Sequence, residues 1–222
     1  LMTVCYMHFY IEHNRGHHVT VATPEDPATS RKNESFYAFW VRSVFQGYNH
    51  AWELEKNRIS RSGYAPLGMK NMMWWYSLLP LVFIAVVTLG FSLWAGVFVW
   101  QLIPFFFAQS IIAFTRLEQV NYIEQYGIER KKIAPGRYER VTPIHSWNAS
   151  HIVSNFFLFQ LQRHSDHHAN AIKRYQVLEH YDESPQLPAG YSAMIILALV
   201  PQLWFRVMNH RLESWQQKKQ AV

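Results

Sequence analysis

The stretch WWYSLLPLVFIAVVTLGFSLWAGVFVWQLIPFFFAQSIIAF, from Trp74 to Phe114, holds no Asp, Glu, Lys or Arg across 41 residues. As one continuous α-helix it would extend roughly 60 Å, twice the roughly 30 Å hydrocarbon core of a bilayer. One crossing helix cannot use that length. Two antiparallel helices joined near Gly90 to Gly96 can. A pair of buried helices in a water-soluble protein is the competing reading, but such helices normally keep a polar stripe. The sequence therefore predicts a membrane hairpin over about 72–116.

The flanks orient this hairpin. Lys56, Arg58, Arg61 and Lys70 precede it, and Arg116, Arg130, Lys131 and Lys132 follow it. A hairpin returns both ends to one side, and an excess of Lys and Arg marks the cytoplasmic side. The net charge of +6 and pI of about 9.4 suit a surface facing anionic lipid or an acidic partner; nucleic acid is not called for. Cys5 is the single cysteine, so no internal disulfide forms, consistent with a reducing compartment. Residues 1–11 begin inside an apolar run with no signal-peptide n-region. They read as the end of an earlier membrane helix in a longer protein.

Further out, Tyr37, Trp40, Val41, Val44, Phe45, Tyr48 and Trp52 recur at helical spacing, so residues 35–61 read as a helix. Its aromatic stripe suits either a membrane interface or a packed core. Residues 130–143 read as a basic loop. Residues 146–176 read as one long helix, and residues 191–208, with Pro201 and Arg206, as a re-entrant or interfacial segment. Phe83, Phe91, Phe98, Phe106 and Phe107 are candidates to line an apolar channel or to face lipid.

Two histidine boxes carry the chemistry. EHNRGHH at 12–18 holds His13, His17 and His18; LQRHSDHHA at 161–169 holds His164, His167 and His168. Imidazole is the commonest protein ligand for zinc, copper, iron and nickel. On an α-helix His13 and His17 share a face, His18 turns about 100° away, and His164 shares a face with His167 and His168. Six imidazoles exceed one four-coordinate ion and suit two. His151 lies upstream of the second box, well around its helix. His8, His50, His145, His180 and His210 are read as isolated structural histidines. Glu12, Glu124 and Asp166 are candidates to orient imidazoles from behind, or else solvated charges.

The spacings HxxxHH and HxxHH resemble those of the membrane di-iron superfamily of desaturases and hydroxylases. EHNRGHHVTVATPEDPATSR, NYIEQYGIE and HSWNASHIVSNFFLFQLQRHSDHHANAIKRYQVLEHYDESPQLPAGY closely resemble the bacterial alkane 1-monooxygenase family, with similarity over nearly all of 5–212. The resemblance implies an all-α integral membrane helical bundle with a cytoplasmic histidine-box cap, the chain being the C-terminal part of one such domain in the bacterial inner membrane. It implies two iron ions, O₂ as co-substrate, terminal hydroxylation of n-alkanes, and electrons from rubredoxin reduced through an NAD(P)H-dependent reductase. The implied ligands are His13, His17, His18, His164, His167 and His168. Two departures stand out. The family's HExxHK box is absent, and Gln125 stands where the family motif NYxEHYG has a histidine, leaving a weak or water-bridged ligand. An aryl-methyl hydroxylase, a fatty-acyl desaturase and an inactive metal-binding membrane protein are the alternatives. The basic residues Arg130, Lys131, Lys132, Arg137 and Arg140 are candidates to dock an acidic electron donor.

Overall fold

The structure, a computed structural model, describes residues 1–220, apart from the side chains of 152–154 and of 219 and 220. It is mostly helical and divides into two compact units: Leu1–Gly16 with Val44–Leu117, and His17–Ser43 with Glu118–Val222.

The first unit contains the expected hairpin. Helix α4 (Met72–Ala95) starts at Asn71, whose side chain accepts a hydrogen bond from the Met73 amide, and ends at Gly96 in the left-handed conformation, φ 68°. Both are standard helix-end devices. The Val99 amide then donates to Ser92 Oγ at 2.9 Å, closing the turn, and α5 (Leu102–Gln125) returns. Helix α4 is long and apolar enough to cross a membrane, and among the described residues it alone meets that measure by length and composition. Helix α5 is apolar at first and gains charge from Arg116 onward. Phe106 is buried against Phe83, whereas Phe91, Phe98 and Phe107 are exposed.

Helix α3 (Phe36–Arg61) forms as its periodicity predicts, but the buried face is not the aromatic stripe. Phe36, Phe39, Ser43, Ala51, Glu55 and Ile59 are buried, while Tyr37, Val41, Phe45 and Tyr48 are exposed. The inner face thus mixes large apolar residues with small and polar ones. Within the first unit Glu55, fully buried, accepts from Arg15, Arg58 and the Met72 amide, which joins the helix to the start of α4.

The core of the second unit gathers Val21, Phe36, Phe39, Tyr122, Tyr126, Trp147, Tyr191, Met194, Trp204, Met208 and Leu212. Trp204, Met208 and Leu212 are four residues apart along α9 (Pro201–Gln220) and present one apolar stripe. With α8 (Tyr191–Ala198) it forms two helices over the segment 191–208, separated just before Pro201, each with one face in this core. The rings carry polar ties: Trp147 Nε1 donates to the Tyr126 carbonyl, and Tyr126 Oη to Asn209. The basic loop includes a short hairpin, β1 (Lys132–Ala134) and β2 (Arg137–Tyr138), turned at Gly136 with φ 68°.

The long helix expected over 146–176 is broken. Helix α6 (Ile152–Phe157) stops, Phe159 and Gln160 take left-handed conformations with φ 50° and 58°, and α7 (His164–Ala169) starts afresh. Two consecutive left-handed residues end an α-helix.

Candidate metal centre

The first box is not a plain α-helix. The short helices α1 (Phe9–Ile11) and α2 (His18–Thr20) flank a π-helical turn at Glu12–His17. In a π turn the hydrogen bonds run five residues along the chain, which removes the α-helical basis for pairing His13 with His17. Gly16 lets the His50 and Glu12 side chains come close to this turn. A Cβ there would lie 2.7 Å from His50 Cε1 and 3.1 Å from Glu12 Oε1. Glu12 is buried, 3.4 Å from His50 Nδ1, and His13 stacks on Phe9.

In the second unit, His17 is buried and its Nδ1 lies 2.8 Å from Asp26 Oδ2. Asp26 also accepts from Thr29 Oγ1 and the Ala28 amide. Burial works to raise the Asp26 carboxyl, but His17 and these hydrogen bonds outweigh it and hold it below the usual carboxylate range. The ionised carboxylate keeps the His17 proton on Nδ1 and leaves Nε2 as the donor atom, the arrangement seen behind metal-bound histidines.

The second box sits on α7, six residues of which His164, Ser165, Asp166 and His168 are buried. His164 Nε2 lies 2.6 Å from His168 Nε2 and 3.0 Å from Glu124 Oε2. Tyr191 Oη donates to Glu124 Oε1 at 2.5 Å. Asp166 is placed differently from a carboxylate behind an imidazole. It accepts from Asn170 Nδ2, Lys173 Nζ and the Glu179 amide, so it binds the following loop onto the box helix.

These elements bring five of the predicted histidines together within this unit. The donor atoms of His17, His164 and His168 all lie within 4.8 Å of one another. The His18 ring stands 4.7 Å from that of His167. Burial, reinforced by the neighbouring imidazoles, lowers His18 to about 3 and His168 well below its ordinary value; His167 is lowered by burial too. Neutral, buried nitrogens converging with carboxylates beside them are a donor set for an N-preferring divalent ion. The 2.6 Å contact between the His164 and His168 Nε2 atoms brings two imidazole nitrogens to one point in the buried set. The residues therefore fit a metal.

Gln125 is buried beside Glu124 in sequence. Its Nε2 donates to Ser146 Oγ at 2.9 Å, and its Oε1 is buried without a hydrogen-bond donor. His151 is exposed at the start of α6. His8 packs between Tyr6 and Tyr48, His145 pairs with Glu139 and Thr142, and His180 with Ser150 and Asp182. Arg130 is occupied by the Val19 and Glu139 carbonyls. Asp26 and Tyr191 were not legible as site residues. Asp26 lies in the loop TPEDPATS, where an acid after proline reads as an ordinary turn residue, and no spacing rule links it to His17.

The sequence profile of the fatty acid desaturase family matches residues 1–213. Alkane 1-monooxygenase 2 of Pseudomonas aeruginosa is 50% identical over 97% of this chain and 55% of its own length. Alkane 1-monooxygenase of Acinetobacter baylyi is 42% identical over 96% of this chain and 50% of its own. The hydroxylase component of xylene/toluene monooxygenase of Pseudomonas putida is 26% identical over 94% of this chain and 53% of its own. The chain spans about half the length of the curated relatives it matches. Both histidine boxes, the buried carboxylates behind them and the hairpin fall inside the profile match, and the chain belongs to the fatty acid desaturase family.

Proposed function

We propose that this chain is the box-bearing part of a membrane alkane 1-monooxygenase that uses two iron ions. The observation that carries the reading is the convergence of His17, His164 and His168 on one point, with His18 and His167 adjacent. The first three would hold one ion. His18 and His167, with His13 as sixth ligand by its place in the motif, would hold the other. Bound iron would activate O₂ for RH + O₂ + 2e⁻ + 2H⁺ → ROH + H₂O, which no side chain here can do.

The protein's own residues prepare that chemistry. Asp26 fixes the His17 tautomer by taking the Nδ1 proton in a hydrogen bond. Tyr191 holds one oxygen of Glu124 and so turns the other toward His164 Nε2; burial raises the Glu124 carboxyl to about 8, against the Tyr191 bond and His17. Burial of the donor set excludes water, which would otherwise divert oxidising equivalents. We place α4 and the apolar part of α5 in the bacterial inner membrane, with the boxes on the cytoplasmic side, as the flanking Lys and Arg suggest. Rubredoxin, reduced through an NAD(P)H-dependent reductase, is the proposed donor, docking on Lys131, Lys132, Arg137 and Arg140.

The xylene/toluene relative supports a second reading, hydroxylation of aryl methyl groups. Product analysis on octane, p-xylene and a fatty-acyl substrate separates these readings, with rubredoxin and its reductase supplied. The proposal expects 1-octanol as the main product and iron bound to the protein. Octane left unoxidised while xylene is turned over, a desaturated fatty-acyl product, or purified protein without iron would overturn it.

A further inference from the structure

The box helix α7 cannot set its own position. It has six residues, and an isolated helix shorter than roughly 12 residues is marginal in water. Arg163, just before it, makes no side-chain cap to its first turn, so the leading amides need partners from elsewhere. One partner comes from 17 residues upstream: the Ser165 amide donates to Asn148 Oδ1 at 3.2 Å. Both residues are fully buried.

Asn148 is itself held by its backbone. Its amide donates to the Pro185 carbonyl at 2.8 Å, and its carbonyl accepts from the Leu187 amide at 2.7 Å. On one flank the Trp147 amide donates to the Glu124 carbonyl at 2.8 Å; on the other the Ala149 amide donates to the Gln162 carbonyl at 2.9 Å. Residues 147–149 thus tie α5, at the residue whose carboxylate lies beside His164, to the approach to α7 and to the segment 185–187. Asn148 Oδ1 is a point fixed relative to Glu124, and it meets the backbone one residue after His164. The far end of α7 has a separate holder in Asp166 and Asn170. Release of the Ser165 amide would therefore free His164 before His168. The bond uses the acceptor side of the Asn148 amide alone: among the described residues its buried Nδ2 has no hydrogen-bond partner.

We infer that Asn148 is a positioning residue for the second box: its Oδ1 anchors the first turn of α7 and so holds His164 Nε2 against His168 and Glu124. This assignment rests on the reading of the boxes as a metal centre.

The test is cobalt(II) titration of the purified, metal-free protein in detergent, followed by visible absorption, whose bands report ligand geometry. Asn148→Ala and Asn148→Leu remove the acceptor and leave a buried amide unpaired. Each should shift the cobalt bands and weaken cobalt binding about 10- to 100-fold, the range for losing a group that orients a ligand. Asn148→Asp keeps an acceptor oxygen in either protonation state and should retain the parent bands. Met208→Ala opens a cavity in the same core; it should lower the melting temperature and leave the bands in place. Hydrogen exchange of metal-free Asn148→Ala should quicken in the peptide 161–169 and not in α9. Parent bands in both removal variants, bands as altered in Asn148→Asp as in Asn148→Ala, or an equal band shift in Met208→Ala would overturn the inference. Unchanged exchange at 161–169 would overturn the anchoring independently of any metal. Should neither removal variant fold, Asn148→Asp decides: parent bands support the inference and altered bands overturn it. A parent protein that binds no cobalt would instead overturn the metal-centre reading on which the inference rests.

Discussion

In the first box the carboxylate of Asp26 meets an imidazole directly, 2.8 Å from His17 Nδ1, whereas in the second box Asp166 gathers Asn170, Lys173 and the Glu179 amide. Both acids are buried, and both lie close in sequence to histidines. One acts on a ring, and the other on the backbone path that carries rings. In the sequence Asp166 was the conspicuous one because it lies inside its box, whereas Asp26 read as a turn residue. Proximity in sequence selected the acid that shapes the loop. Proximity in space selected the acid that shapes a ligand.

The largest effect is expected at the imidazoles themselves. Replacing His164 or His168 by Ala should abolish metal binding at the set shared with His17, read as iron per protein by elemental analysis, with the helical circular dichroism unchanged. Retention of full iron by both variants would remove the basis for a shared site. The acids come next. Asp26→Asn keeps the size of the side chain and removes the charge; it should weaken metal affinity about 10- to 100-fold in chelator competition, the usual effect of losing a carboxylate behind a ligand histidine. Asp166→Asn should instead lower thermal stability, by about 2 kcal/mol for the loss of charge-assisted hydrogen bonds, and leave metal affinity within about twofold of the parent, within ordinary context variation. If the two acid variants behave alike in both measurements, the distinction between ring and loop is lost.

The smallest expected effect is at Gln125. An amide oxygen is a poorer ligand than imidazole for a divalent ion of intermediate softness. Gln125→His should raise iron per protein, and an unchanged ratio near two would refute the idea that this position weakens occupancy.

Much of the fold was legible because its cause is compositional. The uncharged stretch from Trp74 to Phe114 leaves few options besides two apolar helices, and α4, the turn after Gly96 and α5 follow. Helix α3 was legible in extent but not in orientation: Tyr37, Val41, Phe45 and Tyr48 of its aromatic stripe are exposed, and its buried face includes Ser43, Ala51 and Glu55. The break between α6 and α7 left no mark. Phe159 and Gln160 are neither glycine nor asparagine, the residues that normally announce a left-handed turn. In the candidate site the two boxes were legible from spacing, and five of their six histidines come together in the second unit. Their grouping was not, since it depends on a π turn whose signal is a single glycine, Gly16, and on contacts with residues distant in sequence such as Glu124 and Tyr191.

Arg42 adds a consequence of another kind. Its guanidinium holds both oxygens of Glu34 and the carbonyls of Pro27 and Thr29, so it spans the loop that begins at Asp26. A rigid planar fork with four fixed engagements transmits position in a way that a flexible ammonium cannot. The angular setting of a buried imidazole is therefore calibrated from the side of α3, through a loop with no histidine of its own. The tolerance of the candidate centre to change thus extends past the side chains that touch it, to a surface-side strut whose contribution is alignment.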